Sequence, residues 1–243
     1  MTEGLYLADA YLTEFEGTVG SVTPEGVYLD RTAFYPTGGG QPSDRGRLTL
    51  PDGRSVGVVD VRKTEVGILH LLEPGAQVAV GERVAGAIDW PRRFAHMRYH
   101  TALHILSGVV YRKIGSGITG NQITAERARM DFSIPDFDRS VAEGLIEGVN
   151  AVVAEHRPVT VRSLPRAEAV KDPTLVRVAQ ELMPEVDVVR LIDIEGFDVQ
   201  ADGGTHVRNT AEVGVARLER VENKGARNKR LYLVLDSPAD RSP

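Results

Sequence analysis

Cysteine is missing from all 243 residues. No disulfide can form, and any metal must be held by nitrogen or oxygen ligands, so each of the six histidines has to be placed. Long apolar runs are missing too: charges or glycines interrupt every one well short of the ~18 residues a membrane span needs. The opening Met1-Thr-Glu-Gly-Leu-Tyr has no basic segment followed by an apolar core, so no secretory signal is expected and a cytoplasmic protein is the default. Nor is positive charge in excess. The formal net charge of −5 argues against indiscriminate coating of nucleic acid, while leaving room for a basic patch on an acidic body. There is no internal repeat and no low-complexity tract. What remains, 42% hydrophobic and 26% charged, is the composition of a globular chain, long enough for one large domain or two of moderate size.

Residues 1–90 read as β. Short runs rich in Val, Leu and Tyr are punctuated by turn signals at Pro24-Glu25-Gly26, Pro51-Asp52-Gly53, Glu73-Pro74-Gly75 and Val80-Gly81. That spacing, without a helical pattern between strands, predicts a small barrel or sandwich. The character then changes, and residues 91–243 read as α+β. Asp89-Trp90-Pro91 marks a helix start, Leu103, Leu106, Val110 and Ile114 follow at helical spacing, and Gly115-Ser116-Gly117 supplies a stop. A second helix is expected over 140–155, with Val141, Leu145, Val149 and Val152 on one face. After Pro165 a shorter helical stretch leads to strands near 186–194, 213–221 and 231–235.

The sharpest local feature is His100-Thr-Ala-Leu-His104. Residues i and i+4 share one helix face, close enough for two imidazoles to grip one ion. His96 extends the series, but lies about 12 Å along the axis from His104 at 1.5 Å per residue, too far to share a tetrahedral ion from a straight helix. Such a pair is often mere surface or core decoration. Asp202-Gly-Gly-Thr-His206 strengthens the metal reading, because its glycines let the backbone fold tightly around something. Together the pairs make a site of three nitrogens and one oxygen, which suits zinc. His70, within Ile68-Leu-His-Leu-Leu, reads as a strand or core histidine, and His156 as a helix-end residue.

These residues carry a resemblance. His100-Thr-Ala-Leu-His104 with Gly203-Gly-Thr-His206-Val207 resembles the HxxxH and CxGGTH-type signature of the alanyl-tRNA synthetase editing domain and its free-standing relatives, the AlaX proteins. Phe34-Tyr35-Pro36-Thr37-Gly38-Gly39-Gly40-Gln41-Pro42 resembles the glycine-rich GGQ stretch of the same family, and Glu222-Asn223-Lys224-Gly225 through Leu231-Tyr232 fits its closing segment. The likeness covers nearly the whole chain. It implies an N-terminal β-barrel over 1–90, an α+β editing domain over 91–243, and Zn2+ on His100, His104, Asp202 and His206. It implies too that aminoacylation and oligomerising domains are absent, and a monomer is expected. In this chain Asp202 stands where the family commonly has cysteine, so it either ligates the metal directly or orients a histidine.

On the same reading Gln41 projects from a tight turn toward the acceptor end of the tRNA, with Gly39 and Gly40 beside it; a plain hairpin connection is the alternative. Thr119 corresponds to a threonine the family uses near the substrate side chain. Between Arg217 and Arg230 stand six basic residues (Arg217, Arg220, Lys224, Arg227, Lys229, Arg230) against Glu219 and Glu222. This stretch reads as a phosphate-contacting surface or a solvated strand edge, and Arg92, Arg93 and Arg98 on the signature helix are expected to add to it. The implied activity is hydrolysis of an aminoacyl ester on tRNA(Ala), with serine preferred and glycine next. A site that hydrogen-bonds the serine hydroxyl can reject alanine by as much as ~10⁴-fold. No Ser-His-Asp arrangement or reactive thiol competes with a zinc ion, which either holds the attacking water or positions the substrate through its amino group. A zinc hydrolase of another small ester would keep the histidines without needing the basic stretch. A non-catalytic tRNA-binding module would keep the basic stretch without needing the metal.

Overall fold

The computed structural model describes residues 2–134, 137–171, 175, 187–225 and 228–236. The chain separates into two compact units, Met1–Ala95 and His96–Ser242.

The first unit opens with β1 (Glu3–Gly4), which pairs in parallel with β4 (Arg31–Thr32). The other strands are β2 (Glu14–Val22), β3 (Gly26–Leu29), β5 (Gly46–Thr49), β6 (Ser55–Lys63), β7 (Ile68–Leu72) and β8 (Arg83–Ile88). They close into a barrel in the order β2-β3-β7-β6-β5-β8, so no sheet edge is left in it. Of the two architectures the turn spacing allowed, the barrel is the one that forms. Alternate residues point inward, and Val19, Val27, Leu29, Phe34, Leu48, Val58, Val61 and Val84 are buried as its core. The GGGQ stretch is a two-residue turn: Gly38 and Gln41 exchange backbone hydrogen bonds of 3.1 and 2.8 Å. Gly39 and Gly40 both take positive φ, 57° and 83°, which their missing side chains permit.

Helix α1 (Trp90–Ile114) begins in this unit and continues into the second. Asp89 Oδ1 accepts the Arg92 N–H, and Gly115, at φ 71°, ends the helix, as the start and stop signals predict. Its first turn belongs with the barrel because Arg93 is wholly buried there. That guanidinium pairs with Asp44 and donates to the carbonyls of Ala10 and Ala33. The unit boundary therefore falls inside α1.

The second unit adds β9 (Ile118–Ile123), β10 (Ala128–Phe132), α2 (Arg139–Ala154), β11 (Val159–Pro165), α3 (Arg166–Ala169), β12 (Val188–Ile194), β13 (Asp198–Ala201), β14 (Ala216–Asn223) and β15 (Lys229–Leu235). Two antiparallel sheets result, β14-β15-β10-β9 and β11-β12-β13. Asp138 caps α2 by accepting the Val141 N–H, and Ala142, Leu145, Ile146, Val149, Val152 and Val153 form the buried stripe. Val141, expected on that stripe, sits in the exposed first turn instead. The first residue of the strand expected at 186–194 lies outside the described residues; the strand itself is β12, from Val188. Among the described residues no helix is long and apolar enough to cross a membrane.

Candidate metal centre

Helix pitch sets His100 and His104 on one face of α1, and their ring centroids lie 5.1 Å apart. The loop leaving β13 brings His206 to within 4.4 Å of the His100 ring and 4.5 Å of the His104 ring. Asp202 opens that loop. Its Oδ2 lies 3.1 Å from His206 Nε2, and its Oδ1 lies 3.6 Å from His100 Nε2. Among the described residues these four side chains form a group whose ligand atoms all lie within 4.8 Å of one another. A zinc ion bound at 2.0–2.1 Å spaces tetrahedral ligand atoms by about 3.3 Å, so the two measured gaps fit the ion's size. His100, His104 and His206 are buried, and the Asp202 side chain is largely so.

Only one of the loop's two glycines is forced by this arrangement. A Cβ on Gly204 would stand 2.2 Å from His100 Cε1 and 2.4 Å from its Nδ1, whereas one on Gly203 would meet nothing within 4 Å. The loop lies against the imidazole because Gly204 has no side chain.

Electrostatics prepare the donors. Burial pushes the His206 imidazole down to about 4, with the nearby His100 adding to the shift and Asp202 opposing it. His100 is lowered in the same way. Burial alone would raise Asp202, but His100, the hydrogen bond to His206 and His104 outweigh it and hold the carboxyl well below its ordinary range. Neutral imidazoles beside an ionised carboxylate are the protonation states a cation requires of its ligands.

The remaining expected residues fall elsewhere. Gln41 is fully buried, so its amide does not project from the turn; the glycines alone form the tip. Thr119 is exposed on β9, its hydroxyl donating to Asn228 Oδ1 at 3.3 Å, and it does not belong to the ligand group. His96 is buried and also outside that group. His70 is a buried barrel residue 2.8 Å from Thr32 Oγ1, and His156 follows the end of α2 with φ 52°.

Several expected phosphate contacts are engaged within the protein. Arg93 is the buried ion pair with Asp44, and Arg98 donates to the carbonyls of Glu212 and Val213, so neither guanidinium is offered to solvent. Arg92 is half-buried, with Nε on the Ser43 carbonyl. Lys229 is buried with Nζ on the Gly225 carbonyl, and Arg230 grips both oxygens of Asp131. Arg227 lies outside the described residues. Arg217, Arg220 and Lys224 are more exposed, and each meets a carboxylate.

Residues that the sequence did not single out surround the ligands. Gln200 of β13 donates to the His104 carbonyl at 3.2 Å and accepts from the Ser107 hydroxyl. Arg190 of β12 donates to two carbonyls of the ligand loop, and Thr101 contacts His206. Thr101 lies inside the His100–His104 motif, so its position is a signal, whereas Arg190 carries no local signal.

Segments of both units match known families. Residues 6–92 match the family of tRNA synthetases class II (A), and residues 189–232 match the threonyl and alanyl tRNA synthetase second additional domain. Among individual proteins, the chain is 43% identical to the alanyl-tRNA editing protein AlaX-M of Saccharolobus solfataricus, over 97% of this chain and 99% of that one. It is equally 43% identical to AlaX-M of Methanosarcina acetivorans, with the same coverage. Against the alanine–tRNA ligase of Pyrococcus abyssi it is 40% identical over 91% of its own length, which is 24% of the ligase. The chain belongs to the AlaX-M family of alanyl-tRNA editing proteins.

Proposed function

We propose that this chain is a trans-editing hydrolase that deacylates mischarged tRNA(Ala), Ser-tRNA(Ala) first and Gly-tRNA(Ala) next, with Zn2+ on His100, His104, Asp202 and His206. The observation that carries the reading is the convergence of those four side chains from a helix and a distant loop, in a chain related over 97% of its length to AlaX-M proteins. Zinc bound there would act as a Lewis acid on the attacking water or on the substrate's amino group, with its coordination expanding beyond the four protein ligands to admit either. The protein's own part is to hold three imidazoles, His100 and His206 kept neutral by burial, and one carboxylate in a largely water-free setting. The exposed Thr119 hydroxyl is the group we assign to the substrate side. Gln41, being buried, is not given a direct role. For the RNA, the exposed cations of β14 and the turn after it, Arg220 and Lys224, are the phosphate contacts we favour, with Arg92 adding to them.

Replacing His104 with alanine tests the reading. Bound zinc should fall and hydrolysis of Ser-tRNA(Ala) should be lost; unchanged metal content with full activity ends it.

A further inference from the structure

We propose that Thr101 and Arg190, neither of them a ligand, are the positioning residues that aim His206 and Asp202 at the metal. The inference rests on the metal reading above. His206 turns Nε2 toward Asp202, which leaves Nδ1 to the Thr101 hydroxyl at 3.1 Å. When Nε2 gives its lone pair to a metal, the ring proton resides on Nδ1, and it has Thr101 Oγ1 to donate to. That same oxygen accepts the Val207 N–H at 3.3 Å. A hydroxyl has two lone pairs, so one atom fixes both the ring and the backbone one residue on. Thr101 is wholly buried, and water does not compete for either bond.

Arg190 works on the other end of the loop. Its Nη1 donates to the carbonyls of Asp202 at 3.0 Å and Gly204 at 2.9 Å, and its own carbonyl accepts the Asp202 N–H at 3.1 Å. One residue of β12 thus holds a segment that contains two glycines and would otherwise be free to choose among many backbone conformations. The bonds from a permanently charged guanidinium are charge-assisted, and the fixed plane of the two Nη1 protons is not reproduced by a freely rotating lysine ammonium. The guanidinium charge itself repels a cation held nearby. The contribution of Arg190 is therefore geometric, and the two effects of removing it have opposite signs.

The full-length chain, stripped with chelator, is titrated with Zn2+ against a chromophoric competitor and with Co2+ by visible absorption. Thr101→Val should weaken zinc roughly 10–100-fold and alter the Co2+ spectrum, while Thr101→Ser restores both. Arg190→Lys and Arg190→Met should each weaken zinc by a similar factor. Tighter binding in Arg190→Met shows that charge outweighs geometry and overturns the role of Arg190. Wild-type affinity in Thr101→Val overturns that of Thr101. A fall in the melting temperature of metal-free Thr101→Val that serine does not reverse, with equal loss of zinc, makes Thr101 a core residue and overturns it as well. No zinc binding by the unmodified chain refutes the metal reading and this inference with it, whereas binding that the variants leave unchanged refutes the inference alone.

Discussion

Gly204→Ala isolates the metal centre from the rest of the fold. Gly204 does not need the left-handed backbone, so alanine adds no conformational strain; the added methyl matters only through what it meets. Its Cβ would lie 2.2 Å from His100 Cε1 and 2.8 Å from Asp202 Oδ2, where ordinary contact begins at 3.4 Å, so the loop and the His100 ring must separate by at least 1.2 Å, the difference between 3.4 and 2.2 Å. Zinc ligand distances tolerate about 0.2 Å, so His100 leaves the coordination sphere. Structural zinc sites bind with roughly 10–16 kcal/mol over four ligands, so losing one removes about 3 kcal/mol, or roughly 10²-fold in affinity. Gly203→Ala is the matched control, because its Cβ meets nothing. Competition with a chelator reads both variants, and deacylation of Ser-tRNA(Ala) should follow the metal. Equal zinc affinity in the two alanine variants would refute the reasoning.

Three more expectations follow from the same structure. If Asp202 ligates directly, Asp202→Cys retains appreciable zinc affinity through a thiolate at ~2.3 Å while Asp202→Ala does not; a cysteine variant as weak as alanine leaves Asp202 an orienting role only. His70 is held neutral by burial, its pKa lowered to about 4 from 6.5, so the unfolded chain takes up its proton first as pH falls. Stability should drop by roughly 2 kcal/mol on going from about pH 7 to about pH 5 on this account. Urea unfolding of the metal-free wild type and of His70→Gln checks it, and an identical pH slope in both counts against it. Reversing Arg220 and Lys224 to glutamate should weaken tRNA binding and reduce its salt slope by about one per lost phosphate contact, with zinc content unchanged. A slope that does not move places the RNA on another surface.

What the sequence determines by itself here is whatever a fixed local geometry can express. A helix repeats every ~3.6 residues, so His100 and His104 had to share a face once Trp90 to Ile114 formed a helix. The turn signals through residue 81 place breaks between strands, and Gly39 and Gly40 mark a tight turn without any tertiary information. Strands β9, β10, β11 and β13 are not legible in the sequence, because short half-buried segments such as Ile118–Ile123 have no clean alternation until a sheet partners them. Charge was the least legible property. Arg93, Lys229 and Arg230 look alike on paper as candidate phosphate contacts, yet Arg93 is buried against Asp44, 49 residues away in sequence, and Arg230 meets Asp131, 99 residues away. Only the packing of distant strands and helices decides whether a cation finds a carboxylate before it finds a phosphate. The same holds for Thr101 and Arg190. Their chemistry is ordinary in sequence, and becomes specific when folding sets their donors and acceptors about 3 Å from the residues that hold the metal.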